Sequence, residues 1–205
     1  MKIYNDIEQG SDEWLQIRLG KPTASNFFKI ISPTGKESTQ ADKYMNELIA
    51  ERIRGERYEK FKSTSSMERG KELEEDAAQA YGLLRGVEPV RVGFVTNDEG
   101  TAGCSPDRFV FEDGILEVKT PDPDNHVEHM LKEKLEQEHR PQTQGQLWLC
   151  QKKWADTMCN NPKMVPVIMR SIRDDSYISD MERLVNQFLA RMNEKIETLK
   201  KKGYM

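Results

Sequence analysis

The sequence predicts an α/β fold, a central mixed β-sheet flanked by α-helices. Three observations carry that expectation. The chain has 205 residues, enough for one core of this kind. Apolar residues recur with helical spacing in the first third and again at the C-terminal end. Between them, from Val90 to Lys119, the pattern changes to short β-rich runs separated by turn formers. Residues 1–205 are expected to form a single domain, with no internal repeat or linker.

The elements follow in order. Ser11 or Asp12 caps a short helix carrying Trp14, Ile17 and Arg18, and Gly20 ends it. Thr23 or Ser25 starts a second helix with Phe27, Phe28, Ile30 and Ile31. "SPTGKES" is a loop of turn formers. Helix resumes through "DKYMNELIAERIRG", with Tyr44, Leu48, Ile49 and Ile53 on one side and Gly55 past the end. "SMERGKELEEDAAQAYGLLRG" carries an apolar stripe of Leu73, Ala77, Ala80, Tyr81 and Leu84. Val90, Val92, Phe94 and Val95 predict a strand, and "NDEG" a turn. "RFVF", "EDG" and "ILEVK" read as strand, tight Asp113-Gly114 turn and strand. Helix is expected from His126 to Trp154, broken at Pro141. "VPVIMRSI" is a late strand. Ser179 to Lys202 is a long amphipathic helix with Met181, Leu184, Val185, Phe188, Leu189, Met192, Ile196 and Leu199 inward.

Composition bounds the function. Charged residues make up 32% and the mean hydropathy is -0.79, which predicts a soluble protein. No run of about 18 apolar residues is present and the N-terminus lacks a signal-peptide core, so no membrane partner and a cytoplasmic location are expected. The net charge of -4 does not exclude nucleic acid, because the field depends on where charges sit. Cys104, Cys150 and Cys159 have no C-x-x-C spacing and read as reduced, buried thiols. His126 and His129 share a helix face but lack a third ligand, so these and His139 are expected to be solvated.

The hairpin holds the chemistry. Alternation puts Glu117 and Lys119 on one face, about 6.5–7 Å apart along the strand, with Val118 on the other. Reversal at the turn brings Asp107 beside them. Two carboxylates about 4 Å apart repel by roughly 4 kcal/mol at an effective dielectric of 20. A hard divalent cation, Mg²⁺ or Mn²⁺, offsets that through carboxylate and carbonyl oxygens, the Val118 carbonyl among them. Such a site suits phosphodiester hydrolysis, with Lys119 orienting water or stabilising developing charge. On spacing alone, a surface salt bridge stands level with this reading.

Pro106-Asp107 followed by Glu117-Val118-Lys119 resembles the PD-(D/E)xK nuclease superfamily. Flanking stretches sharpen the resemblance. "EQGSDEWLQIRLGKPTAS", "RGKELEEDA", "TAGCSPDRF" with "LEVKT", and "QTQGQLW" are similar, in that order, to motifs of the phage-type alkaline exonucleases, the lambda exonuclease and YqaJ-type viral recombinase family. The resemblance spans residues 8 to 148. It implies a restriction-endonuclease-like core and a metal-dependent exonuclease. Such an enzyme digests one strand of duplex DNA ends 5′–3′ to mononucleotides and leaves a 3′ overhang. It further implies a homotrimer, a single-strand annealing protein as partner, and a phage or prophage protein working in a bacterial cell.

Residue by residue, the resemblance assigns two Mg²⁺ (or Mn²⁺) ions to Asp107, Glu117, the Val118 carbonyl and Glu74. Glu72 and Glu75 compete with Glu74 for the helix position. Lys119 positions the nucleophilic water and Gln144 stands near the active centre. Arg18 contacts the DNA backbone, and Ser25 and Ser105 help hold a terminal 5′-phosphate. One departure is visible: "SPTGKES" contains no arginine where the lambda enzyme has one, and Lys36 is the nearest cation. Two other readings remain: an endonuclease of repair or restriction type, and a catalytically idle module that binds DNA or a partner. The intact set of Asp107, Glu117 and Lys119 argues against the idle module.

Overall fold

The structure, a computed structural model, describes the backbone of residues 1–57, 65–135 and 137–205, and their side chains apart from residues 65–72. Five strands form the main sheet in the order β2-β5-β6-β7-β8: β2 is Val90–Arg91, β5 Arg108–Val110, β6 Gly114–Lys119, β7 Trp154–Cys159 and β8 Val167–Ile172. The sheet is mixed, because β6 and β7 run parallel while the other pairs are antiparallel. A smaller antiparallel sheet joins β1 (Lys2–Tyr4), β3 (Phe94–Thr96) and β4 (Gly103–Cys104) in the order β1-β3-β4. The helices are α1 (Asp12–Arg18), α2 (Ala41–Arg54), α3 (Ser65–Arg85), α4 (Pro123–Lys132), α5 (Arg140–Leu149) and α6 (Asp175–Lys201).

Strand alternation divides the apolar residues between two cores. Ile115 and Ala155 enter the larger one with Phe27, Met45, Leu147, Met181 and Phe188, which draws α2, α5 and α6 onto one side. Leu116 and Met158 enter the smaller one with Ala77, Ala78 and Tyr81 of α3. The C-terminal helix therefore packs as its period predicts. It begins earlier than Ser179, because the Asp174 side chain accepts from the Tyr177 amide and caps the helix.

Some of the expectations for individual elements hold and others are corrected. Ser11 caps α1 through the Trp14 amide, and left-handed Gly20 (φ +62°) follows its end. The second helix is a six-residue 3-10 segment, Ala24–Lys29, with Thr23 rather than Ser25 at its cap. The single strand from Val90 to Val95 divides between the two sheets at Gly93. A side chain at Gly93 would strike the Tyr4 and Ile7 carbonyls, at 2.2 and 2.3 Å. The helix expected to reach Trp154 stops at Leu149, and Pro141 opens α5 instead of breaking it. Trp154 to Cys159 is strand β7. Leu84 and Ile53, expected on the apolar faces of their helices, are exposed. His126 is buried with Nε2 2.9 Å from the Val165 carbonyl, since α4 turns it inward. Cys104, Cys150 and Cys159 are free and buried, as expected.

Candidate active site

Strand register builds the site. Arg108 pairs with Leu116 and Phe109 with Ile115, so Asp107 comes next, beside Glu117. Its Oδ2 accepts a 2.7 Å hydrogen bond from the Val118 amide. The connection differs from a tight Asp-Gly turn. Gly114 already belongs to β6, and Phe111 takes the left-handed conformation (φ +52°) in a Phe111-Glu112-Asp113 loop. Gly114 is needed for a different reason: a Cβ there would lie 2.2 Å from the Trp154 ring on the neighbouring strand. Lys119 Nζ lies 3.9 Å from Glu117 Oε1 on the shared face, and the Val118 side chain packs against the smaller core.

Helix α5 grips Glu117 from the facing side. Gln142 Nε2 donates to Oε1 and Gln146 Nε2 to Oε2, both at 2.9 Å. Residues i and i+4 share a helix face, whereas i+2 points away. Gln144 accordingly turns from the site. It donates to the Ile172 carbonyl and accepts from the Asp174 amide, tying α5 to the start of α6. The expectation of Gln144 at the active centre is thus corrected to Gln142 and Gln146.

Helix α3 brings Glu74 to the hairpin. Glu74 Oε1 accepts from Arg108 Nη1 at 2.7 Å, and Glu74 lies near enough to raise the carboxyl pKa values of both Asp107 and Glu117. Glu75 points outward to Arg91 and to Arg108 Nη2. The Glu72 side chain lies outside the described residues. Among the described residues no three His, Cys, Asp or Glu side chains converge closely enough, as they stand, to hold a metal ion.

The electrostatics favour a cation. Burial pushes the Asp107 carboxyl well above the usual carboxylate range, and repulsion from Glu117 and Glu74 adds to it. Burial also raises Glu117, while Lys119, Gln146 and Gln142 oppose the rise. The donors available (carboxylate and carbonyl oxygens) are those that Mg²⁺ and Mn²⁺ prefer.

Beside the hairpin, Ser105 Oγ accepts from Trp14 Nε1 at 2.7 Å and from Arg18 Nη1 at 3.2 Å. Arg18 is buried, with its guanidinium carbon 4.0 Å from the centre of the Trp14 ring. Desolvation, then the nearby Arg57, brings its pKa down to about 10. Arg18 also lines a cavity of about 20 Å³ with Lys21, Lys29, Arg57, Glu47 and Glu51. Its Nε has no hydrogen-bond partner among the described residues. The structure therefore brings Arg18 and Ser105 together. Ser25 is exposed, 3.2 Å from the Thr23 hydroxyl. Lys36 is exposed on the loop that α6 holds through the Tyr177 hydroxyl and the Ser32 carbonyl.

The model of the YqaJ-like viral recombinase domain matches residues 13–153. The chain belongs to that family. This YqaJ-like domain shares its fold with the alkaline exonuclease LHK-Exo of Laribacter hongkongensis, at 30% identity and a TM-score of 0.84, covering 94% of this chain and 98% of that one. A second structure of LHK-Exo, in complex with dAMP, matches at 31% identity and a TM-score of 0.82, with the same coverage. A phage-related exonuclease from Haemophilus somnus 129PT matches in fold at 18% identity and a TM-score of 0.68, covering 87% of this chain and 96% of that one. A comparison with curated proteins finds no match. No helix of the described residues is long and apolar enough to cross a membrane.

Sequence reasoning did not single out Gln142 and Gln146, which the structure brings to Glu117, Trp14, which it brings to Ser105, or Arg108, which it brings to Glu74. The i, i+4 spacing inside "QTQGQ" was signal enough for the two glutamines, given a helix. Arg108 carried no such signal, because its partners lie on a helix 33 and 34 residues away.

Proposed function

We propose that the chain is a Mg²⁺-dependent 5′–3′ exonuclease. It digests one strand of linear duplex DNA to mononucleotides and leaves a 3′ single-stranded overhang for recombination by strand annealing. One observation carries this reading: two half-buried, mutually repelling carboxylates, Asp107 and Glu117, stand with Lys119 at the C-terminal end of the central strand β6. Family membership and the alkaline exonuclease relatives support it. So does the dAMP complex of LHK-Exo, since a nucleoside monophosphate is the product expected here.

Asp107, Glu117, the Val118 carbonyl and Glu74 would hold Mg²⁺ or Mn²⁺, two ions per site. The bound metal supplies charge neutralisation at the scissile phosphate and lowers the pKa of an attacking water. Gln142 and Gln146 hold both oxygens of Glu117 in place, and the Val118 amide does the same for Asp107. Lys119 orients the water and stabilises charge developing on phosphoryl oxygens. The water oxygen bonds to phosphorus as the P–O3′ bond breaks, and O3′ leaves with a proton. A nucleoside 5′-monophosphate departs and the next nucleotide keeps the new 5′-phosphate.

Arg18 and Ser105 receive the terminal 5′-phosphate, with Ser25 and Lys36 as exposed contacts to the strand. The Arg18 side chain, stacked on Trp14 and with no partner for its Nε among the described residues, suits an anion. A homotrimer on double-stranded DNA ends, a single-strand annealing protein as partner and the bacterial cytoplasm as location complete the proposal.

The test uses linear duplex, nicked circle and closed circle, each with Mg²⁺ or with EDTA. Linear duplex should be lost to mononucleotides only with Mg²⁺, and closed circles should survive. Cutting of closed circles would point to an endonuclease, and no digestion to a binding module. Lys119→Ala should abolish cleavage while DNA binding persists. Normal turnover in that variant would overturn the mechanism.

A further inference from the structure

We propose that Arg108 is a positioning residue that holds the helix carboxylate Glu74 to the metal-binding hairpin. The inference rests on the reading of Asp107, Glu117 and Glu74 as metal ligands. Arg108 is 4% exposed and follows Asp107 directly. Pairing with Leu116 turns its side chain to the α3 side of the sheet. Its Nη1 donates both to Glu74 Oε1 at 2.7 Å and to the Asp107 carbonyl at 2.8 Å. One nitrogen thus links the helix acid to the backbone of the hairpin acid. Nη2 donates to Glu75 Oε2 at 3.0 Å and sets the roll of the guanidinium.

This arrangement does two things. It fixes Glu74 against Asp107 although the two sit on different elements that only packing brings together. It also engages Oε1 of Glu74, so that Oε2 is the oxygen left for a cation. A lysine keeps the charge but cannot make this planar, three-point fork. Arg108→Lys therefore separates geometry from charge.

The experiment is direct binding of Mn²⁺ to the full chain without DNA, read from the free-ion electron paramagnetic resonance signal. Arg108→Lys should bind Mn²⁺ about tenfold more weakly than the native chain. Glu74→Gln should also bind more weakly, and adding Arg108→Lys to Glu74→Gln should change nothing further, because Arg108 acts through Glu74. Glu75→Gln, which removes only the outer anchor, should weaken binding two- to threefold. It keeps the test open if Arg108→Lys fails to fold.

Unchanged or tighter binding in Arg108→Lys would overturn the inference. So would equal weakening in the native and Glu74→Gln backgrounds. If Arg108→Lys does not fold, unchanged binding in Glu75→Gln overturns it. A different failure marks the underlying reading. If the native chain binds no Mn²⁺, or Asp107→Asn binds as tightly as native, the metal site itself is wrong and the role of Arg108 falls with it.

Discussion

Asp156→Asn perturbs the polar contact that holds α3 against the sheet. Asp156 is fully buried on β7. Its Oδ2 accepts from the Tyr81 hydroxyl at 2.7 Å, and both oxygens accept from Arg170, at 2.7 and 2.8 Å. Asparagine has the same shape but carries no charge and presents an N–H₂ where a donor already points. One hydrogen bond becomes a donor–donor contact and the remaining ones lose charge assistance. Breaking a buried ion pair costs about 3–5 kcal/mol. Arg170 is 47% exposed and recovers part of that from water, which puts the loss near the lower end, about 3 kcal/mol. For a domain of this size that lowers the melting temperature by roughly 6–12 °C. Urea unfolding of the two proteins, followed by far-ultraviolet circular dichroism, measures the difference. A loss below about 1 kcal/mol would show that Arg170 and Tyr81 find equal partners elsewhere, and the argument for a buried anchor under α3 would fail.

Two further outcomes are expected. Gln146→Ala should slow DNA digestion about tenfold in steady-state assays, since it frees one oxygen of Glu117, whereas Gln144→Ala should keep the native rate and lose about 1–3 kcal/mol in urea unfolding. Equal rates in the two variants would refute the assignment. The metal-free protein should lose stability as pH rises from the ordinary carboxylate range through the raised values of Asp107 and Glu117. In that window the folded state holds protons that the unfolded state has released, so the slope of stability against pH is negative. Thermal melts in EDTA across that range should show this decline, and Mg²⁺ should reverse it. A decline that persists in Asp107→Asn/Glu117→Gln would assign the effect to other groups.

The elements legible in the sequence are those whose apolar residues keep one period and face one core. The C-terminal helix is the clearest case, with Met181, Leu184, Val185, Phe188, Met192 and Ile196 all buried. The hairpin was legible too, because Phe109-Val110 and Ile115-Leu116 are two short apolar runs on either side of a short connection. Strand β7 was not. Asp156 and Thr157 interrupt its apolar run, and Asp156 is tolerated in the interior because tertiary partners, Tyr81 and Arg170, satisfy a carboxylate that a strand pattern would place outside. A two-residue strand such as β4 has no period to read.

The same division runs through the site. Residue type, strand alternation and the reversal of a short hairpin put Asp107, Glu117 and Lys119 together, since hairpin geometry is local and side chains repeat every two residues. Which of the neighbouring acids of α3 faces the hairpin, which glutamines reach Glu117, and that Arg108 bridges the two elements were decided by packing. Helix roll and crossing depend on residues far apart in the chain: Leu116 and Met158 against Ala77 and Tyr81 for α3, and Leu147 against Phe27 and Met181 for α5. No local spacing encodes those contacts.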